Sequence, residues 1–173
     1  MEKKGYLYIL IFLSAVTTAI KVYNVFFAKL SEMVPIKTDN EEVKQLASEI
    51  KIVRERQYEI DTNIINKLIV TLLIITLLVT LYLSFKSEVK ALASFTVYLV
   101  LSLIYHIHSW LMTRSIVHLY SDKEQRKLII SGSNYGFMFS IVVLIVYILI
   151  IVINYRSNQK KDVHHNASIG IDI

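Results

Sequence analysis

The chain has no cysteine, one proline and four glycines in 173 residues. Without cysteine there can be no disulfide, no thiolate metal ligand and no cysteine nucleophile, and nothing points to an oxidising or a reducing compartment. Pro35 is the only proline and the glycines are Gly5, Gly132, Gly136 and Gly170, so long tracts hold no helix breaker. Charge is also missing, from four stretches at 5–20, 68–85, 91–113 and 128–155. A carboxylate pair for general acid–base work cannot be built inside them. The sequence has no phosphate-binding glycine loop, no H-E-x-x-H and no G-x-S-x-G, so it reads as a non-enzyme without cofactor or metal.

What is present is apolar. Hydrophobic residues make up 54% of the chain, and its mean hydropathy is +0.50. A bilayer core of ~30 Å needs ~20 apolar residues in a helix, and the four uncharged stretches reach that length if the first continues to Ala28. A soluble bundle is the rival reading, but residues 68–85 lack the polar face that a surface helix needs. The predicted fold is all-α: a four-span transmembrane bundle with spans at about 5–28, 66–86, 90–112 and 134–156. One domain, residues 1–157, then carries a flexible tail, 158–173. Met1-Glu2-Lys3-Lys4 ahead of the apolar run, with small residues at Thr17-Thr18-Ala19, also fits a cleaved signal peptide. Apolar and aromatic residues running on to Phe27 favour an anchor.

Between the first two spans lies an amphipathic segment at about 39–65. Thr38-x-x-Glu41 and Asp39-x-x-Glu42 have capping-box spacing and place a helix start near Asp39. Val43, Leu46, Ile50, Val53, Gln57, Ile60 and Ile64 then follow a 3-4-3-4-3-4 spacing, the seam of a packed helix. With no Gly or Pro from 41 to 85, the helix is predicted to run unbroken into the second span as a rod of about 65–70 Å. Nearly half of that rod would stand outside the bilayer as a stalk. Ser121-x-x-Glu124, another capping box, starts the fourth helix, and helices 2, 3 and 4 all overshoot the membrane on the stalk face. Lys3, Lys4, Lys86, Lys90, Arg156, Lys160 and Lys161 crowd the short segments of the other face, which points to cytoplasmic termini. The net charge is only +5, and with an acidic long segment it gives no reason to expect nucleic acid.

Three groups of residues are candidates for function. Ser14, Thr17, Thr18, Lys21 and Asn24 recur at helical spacing on the first span, and Thr76, Thr80 and Ser84 do so on the second. Together they could line a polar path, or Lys21 could bind an anion. The plainer reading is a lysine that snorkels to the interface among ordinary packing residues. On the third span, His106, His108, Trp110, Arg114 and His118 form either a pH-sensing ledge or an aromatic and cationic interface belt. On the fourth, Gly132-x-x-x-Gly136-x-x-x-Ser140 suits close helix packing, within the chain rather than between chains. His164-His165 in the tail is a weak metal signal.

In size and span number, the chain is similar to bacterial membrane immunity proteins and to small membrane subunits of phage-defence systems. The heptad stalk, the small-residue motif and the missing catalytic groups point to a non-enzymatic interaction protein of the bacterial inner membrane, with the bilayer and a second copy or another membrane protein as partners. A small oligomeric channel or transporter-like unit, its path lined by the first and second spans, is the alternative.

Overall fold

A computed structural model describes residues 5–30 and 39–169, with side chains followed as far as residue 156. These residues form five α-helices and no strand. Helix α1, Gly5–Val22, runs on as a π-helical turn, Tyr23–Phe27, and ends where Ala28 turns extended. Helix α2 is Glu41–Asp61, α3 is Ile64–Lys86 and α4 is Glu88–Ser115. A 3-10 turn, Val117–Leu119, follows α4, and α5 is Lys123–Ile169. Four helical segments are long and apolar enough to cross a membrane: Gly5–Phe27, Ile64–Lys86, Glu88–Leu119 and Lys123–Arg156. At 1.5 Å per residue the shortest spans ~35 Å, against a hydrocarbon core of ~30 Å. The chain is a membrane protein built as an all-α bundle.

Helix α4 is the centre of the bundle. Its Ala91, Leu92, Phe95, Tyr98 and Leu99 pack with Leu7, Leu10 and Ile11 of α1 and Ile69, Leu73 and Leu77 of α3. Phe95 stacks on Tyr98 at 5.6 Å between centroids and on Tyr147 of α5 at 6.3 Å. The α3–α4 hairpin is tight because Ser87 both ends one helix and starts the next. Its amide donates to the Leu83 carbonyl at 2.8 Å, and its carbonyl accepts from Ala91 at 3.0 Å. Close by, the Tyr6 hydroxyl donates to Glu88 Oε1 at 2.7 Å and fixes the start of α1 against the start of α4.

The unbroken rod predicted from 41 to 85 is corrected, for the helix stops at Asp61 and restarts at Ile64. Side-chain hydrogen bonds gather at the break. Asn63 Oδ1 accepts from the Asn66 amide at 2.7 Å, Asn66 Nδ2 donates to the Ile60 carbonyl at 2.8 Å, and Thr62 Oγ1 donates to the Tyr58 carbonyl at 2.8 Å. Short polar side chains compete with the helical backbone in this way, so no glycine or proline is needed to end the helix.

The seven-residue seam is corrected with it. Val53 is buried, and Gln57 and Ile60 are half-buried, but Val43, Leu46 and Ile50 lie exposed. Ile64 falls beyond the break and is 77% exposed. A heptad seam needs a partner along its whole length. Helix α2 meets α4 and the 3-10 turn, but of the seam residues only Val53, Gln57 and Ile60 are covered.

The helices start close to where expected, but the residues that cap them are corrected. Asn40 caps α2, its Oδ1 accepting from Glu42 at 2.9 Å and from Val43 at 3.4 Å. Asp122 caps α5 by accepting from the Glu124 amide at 3.0 Å. Asn and Asp are at least as good as Ser or Thr in this role, and a cap one residue along can take the helix start. Thr38, Lys3, Lys4 and Pro35 lie outside the described residues. Helix α5 continues to Ile169, and Lys160, Lys161, His164 and His165 lie outside the described side chains.

Candidate functional site

On α1 the buried line is Ser14, Thr18, Lys21 and Val25. Thr17 and Asn24 each sit one residue, about 100°, round from that line and are exposed, so the five-residue seam narrows to three polar members. The seam faces α4. Tyr98 lies deep in the core, and its hydroxyl meets Thr18 Oγ1 at 2.9 Å and donates to the Ser14 carbonyl at 3.2 Å. One turn nearer the stalk, Lys21 Nζ donates to Ser102 Oγ at 3.4 Å and stands 5.3 Å from the centre of the Tyr105 ring. Lys21 is only 9% exposed.

A cavity of about 290 Å³ opens beside this lysine, between α1, α4 and α5. Lys21, Ser102, His106 and Ser140 line its stalk end, and Leu99, Val143, Leu144 and Tyr147 line the part nearer mid-membrane. Thr17 rims it as well.

The polar face of α3 goes elsewhere. Thr80 and Ser84 are buried and Thr76 is half-buried. Thr80 Oγ1 bonds the Thr76 carbonyl and Ser94 Oγ of α4, each at 2.8 Å. The cleft between α1 and α3 has Thr18 and Tyr23 among otherwise apolar walls such as Ile74, Leu77 and Leu78. The first and second spans therefore turn their polar faces to separate levels of α4 rather than to each other.

The aromatic and cationic ledge is partly assembled. Trp110 Nε1 donates to Asn134 Oδ1 of α5 at 3.0 Å, the indole stacks on Phe137 at 5.2 Å, and the Arg114 guanidinium lies over it at 4.5 Å. His106 lines the cavities on both sides of it, and His108 is half-buried with its Nε2 enclosed. His118 is corrected out of the stripe: α4 ends at Ser115, which puts His118 in the 3-10 turn, exposed. Among the described residues no cluster of three histidine or acidic side chains has the closeness of a metal site.

Gly132, Gly136 and Ser140 do not make the close helix approach expected within the chain. Both glycines are exposed, and a Cβ built on either would meet nothing within 4 Å. The bulk of the Trp110–Phe137 pair between α4 and α5 holds the backbones apart. An open groove of about 530 Å³ results, walled by His106, Ser109, Trp110 and Thr113 on one side and by the small residues of α5 on the other.

Outside the membrane, Glu49 carries a shifted titration. Hydrogen bonds from the Ser121 hydroxyl and amide hold its carboxyl below the usual glutamate range. Asp61, at the break, is shifted the opposite way by burial, against a smaller opposing effect of the Gln57 amide.

Sequence reasoning passed over Tyr98, Ser102 and Tyr105, the residues that meet Lys21 and its neighbours, and Asn134, which anchors Trp110. The signal for the first three was a 4-3 spacing of polar groups on an otherwise apolar span.

No curated protein and no solved structure matches this chain. It does match the family described as Domain of unknown function (DUF8777), over residues 1–164. With nearly its whole length covered, the chain belongs to that family.

Proposed function

We propose that the protein is a non-enzymatic interaction protein of the bacterial cytoplasmic membrane, with cytoplasmic termini, acting through assembly of its last span with that of a second copy. The observation that carries this reading is the open groove along α5 beside α4, which Gly132 and Gly136 line. The apolar stretch of α5 is the most hydrophobic of the four spans, yet it meets the core only through partly buried residues such as Leu144, Tyr147 and Ile151, and none of it is fully buried. The same helix presents Gly132 and Gly136 with open space above them. In lipid there is no hydrophobic drive between helices, so association depends on close packing, and exposed small residues four apart allow it. A role in immunity, defence or regulation is the narrower part of the proposal and rests on size and span number alone.

The absence of cysteine makes the test clean. Single cysteines at Gly132 and Gly136 should form disulfide dimers in intact membranes, while Val142→Cys, about a third of a turn off that face, should not. Gly136→Leu should abolish the dimer with the fold unchanged, since a Cβ there meets nothing within 4 Å and the groove beside it is open. A chain that stays monomeric at every position would remove the proposal. Capture of a different membrane protein at the same positions would replace the second copy with that partner.

The channel alternative draws on Lys21. Solute flux through liposomes that changes in Lys21→Gln would favour it.

A further inference from the structure

We propose that the cavity beside Lys21 binds an anionic amphiphile, a molecule with one carboxylate or phosphate group on an acyl chain. This reading is independent of assembly through α5.

The first ground is an incomplete charge. Lys21 is nine-tenths buried, six residues short of the end of its helical span at Phe27. An ammonium has three donors. One of them reaches Ser102 Oγ, at the long distance of 3.4 Å, and the Tyr105 ring face lies beyond. Neither supplies negative charge. The ion pairs among the described residues are those of Lys44, Lys51 and Arg56, all on α2 and all with α2 glutamates. Asp61 has its Oδ1 on the Gln57 amide. A cation held inside a membrane bundle without a counter-charge is costly, and such groups mark ligand sites when a cavity adjoins them.

The second ground is the shape and polarity of that cavity. Along the membrane normal its lining changes character once. Lys21, Ser102 and His106 stand at the stalk end, and Leu99, Val143 and Leu144 follow toward mid-membrane. A headgroup at the first set would lead an acyl chain along the second, in the orientation that lipids of the stalk-side leaflet already have. Ile20 and Phe139 line the cavity and are also well exposed, which opens it sideways to the bilayer. An amphiphile could therefore enter from lipid without leaving it.

The full chain in phosphatidylcholine vesicles, with trace spin-labelled stearate in one series and spin-labelled phosphatidic acid in another, tests this. Wild-type protein should show a motionally restricted component above that of labelled phosphatidylcholine, in one series or both, and it should persist at high salt because a buried pair is weakly screened. An excess for stearate alone identifies a fatty acid, and an excess for phosphatidic acid identifies a phospholipid headgroup. Lys21→Met should bring the excess down to the phosphatidylcholine level. Lys51→Met removes an equal charge from α2 and should leave it unchanged. Val143→Phe keeps the ammonium and fills the apolar end, so it should also lower the excess, and it serves if Lys21→Met does not fold. No excess for either label, or an excess untouched by both cavity variants, overturns the proposal.

Discussion

Glu49 holds Ser121 by two hydrogen bonds across 72 positions of sequence: the Ser121 hydroxyl donates to Oε1 at 2.6 Å and its amide to Oε2 at 3.2 Å. This contact joins the middle of α2 to the turn between α4 and α5. That turn is closed from its other side by the Arg126 side chain, whose Nε donates to the Tyr120 carbonyl. Ser121 has left the capping role to Asp122, and that frees its hydroxyl and amide for Glu49. The stalk is therefore attached to the bundle at this point and, through Val53, one turn further on.

The attachment should depend on pH. Because the folded-state titration of Glu49 is lowered, its stabilising contribution is complete above the ordinary glutamate value of 4.5 and is lost as pH falls through the lowered one. Amide hydrogen exchange across Glu41–Asp61 should speed up on acidification below that value. Glu49→Gln should exchange faster at neutral pH and lose most of this acid response. If the variant and the wild type respond alike, the other α2 carboxylates control docking and Glu49 does not.

Asn63 sets where the stalk ends and the membrane begins. Asn63→Ala removes the cap of α3 and should cost about 1 kcal/mol, within the range of 0.5–2 for such losses. Asn63→Ala with Asn66→Leu removes both asparagines of the break and should let α2 and α3 join. Spin labels at Ile52 and Ile75, both exposed, would report a longer and narrower distance distribution. An unchanged distribution would mean that tertiary contacts, not these side chains, hold the bend.

Tyr98 joins α1 to α4 through its hydroxyl. Tyr98→Phe should lower stability by roughly 0.5–2 kcal/mol, the span of measured interhelical hydrogen bonds in membranes. The modest size follows from Thr18, whose hydroxyl can turn to the Ser14 carbonyl four residues back. Thr18→Val in the same background should then add little. Strictly additive losses in a denaturation series of the two variants would show that the hydroxyls act separately.

The all-α class and the number of spans were legible before any coordinates, although the number of helices was not, since the stalk and the second span are separate helices. Class and span number depend on local apolar length set against a fixed bilayer thickness, which is a sum over neighbouring residues. The break at Asp61 was hidden because it rests on three short polar side chains, not on a glycine or proline. The seam of α2 has heptad spacing, but spacing cannot say how much partner helix is present, and Val43 and Leu46 lie exposed. Lys21 stood out as a charge among apolar residues. Its neighbours on α4, some eighty positions away, did not.

Rotation and pairing of the helices were decided only in three dimensions. A span that is apolar nearly all round has no side that water would reject, and lipid is as apolar as leucine, so hydropathy is silent about which face turns inward. Shape settles it: Phe95 and Tyr98 draw α1, α3 and α5 onto α4, and Trp110 against Phe137 keeps α4 and α5 apart where the glycines lie. For that reason the Gly132–Gly136 face is left open, and Lys21 is turned into a cavity rather than toward the second span.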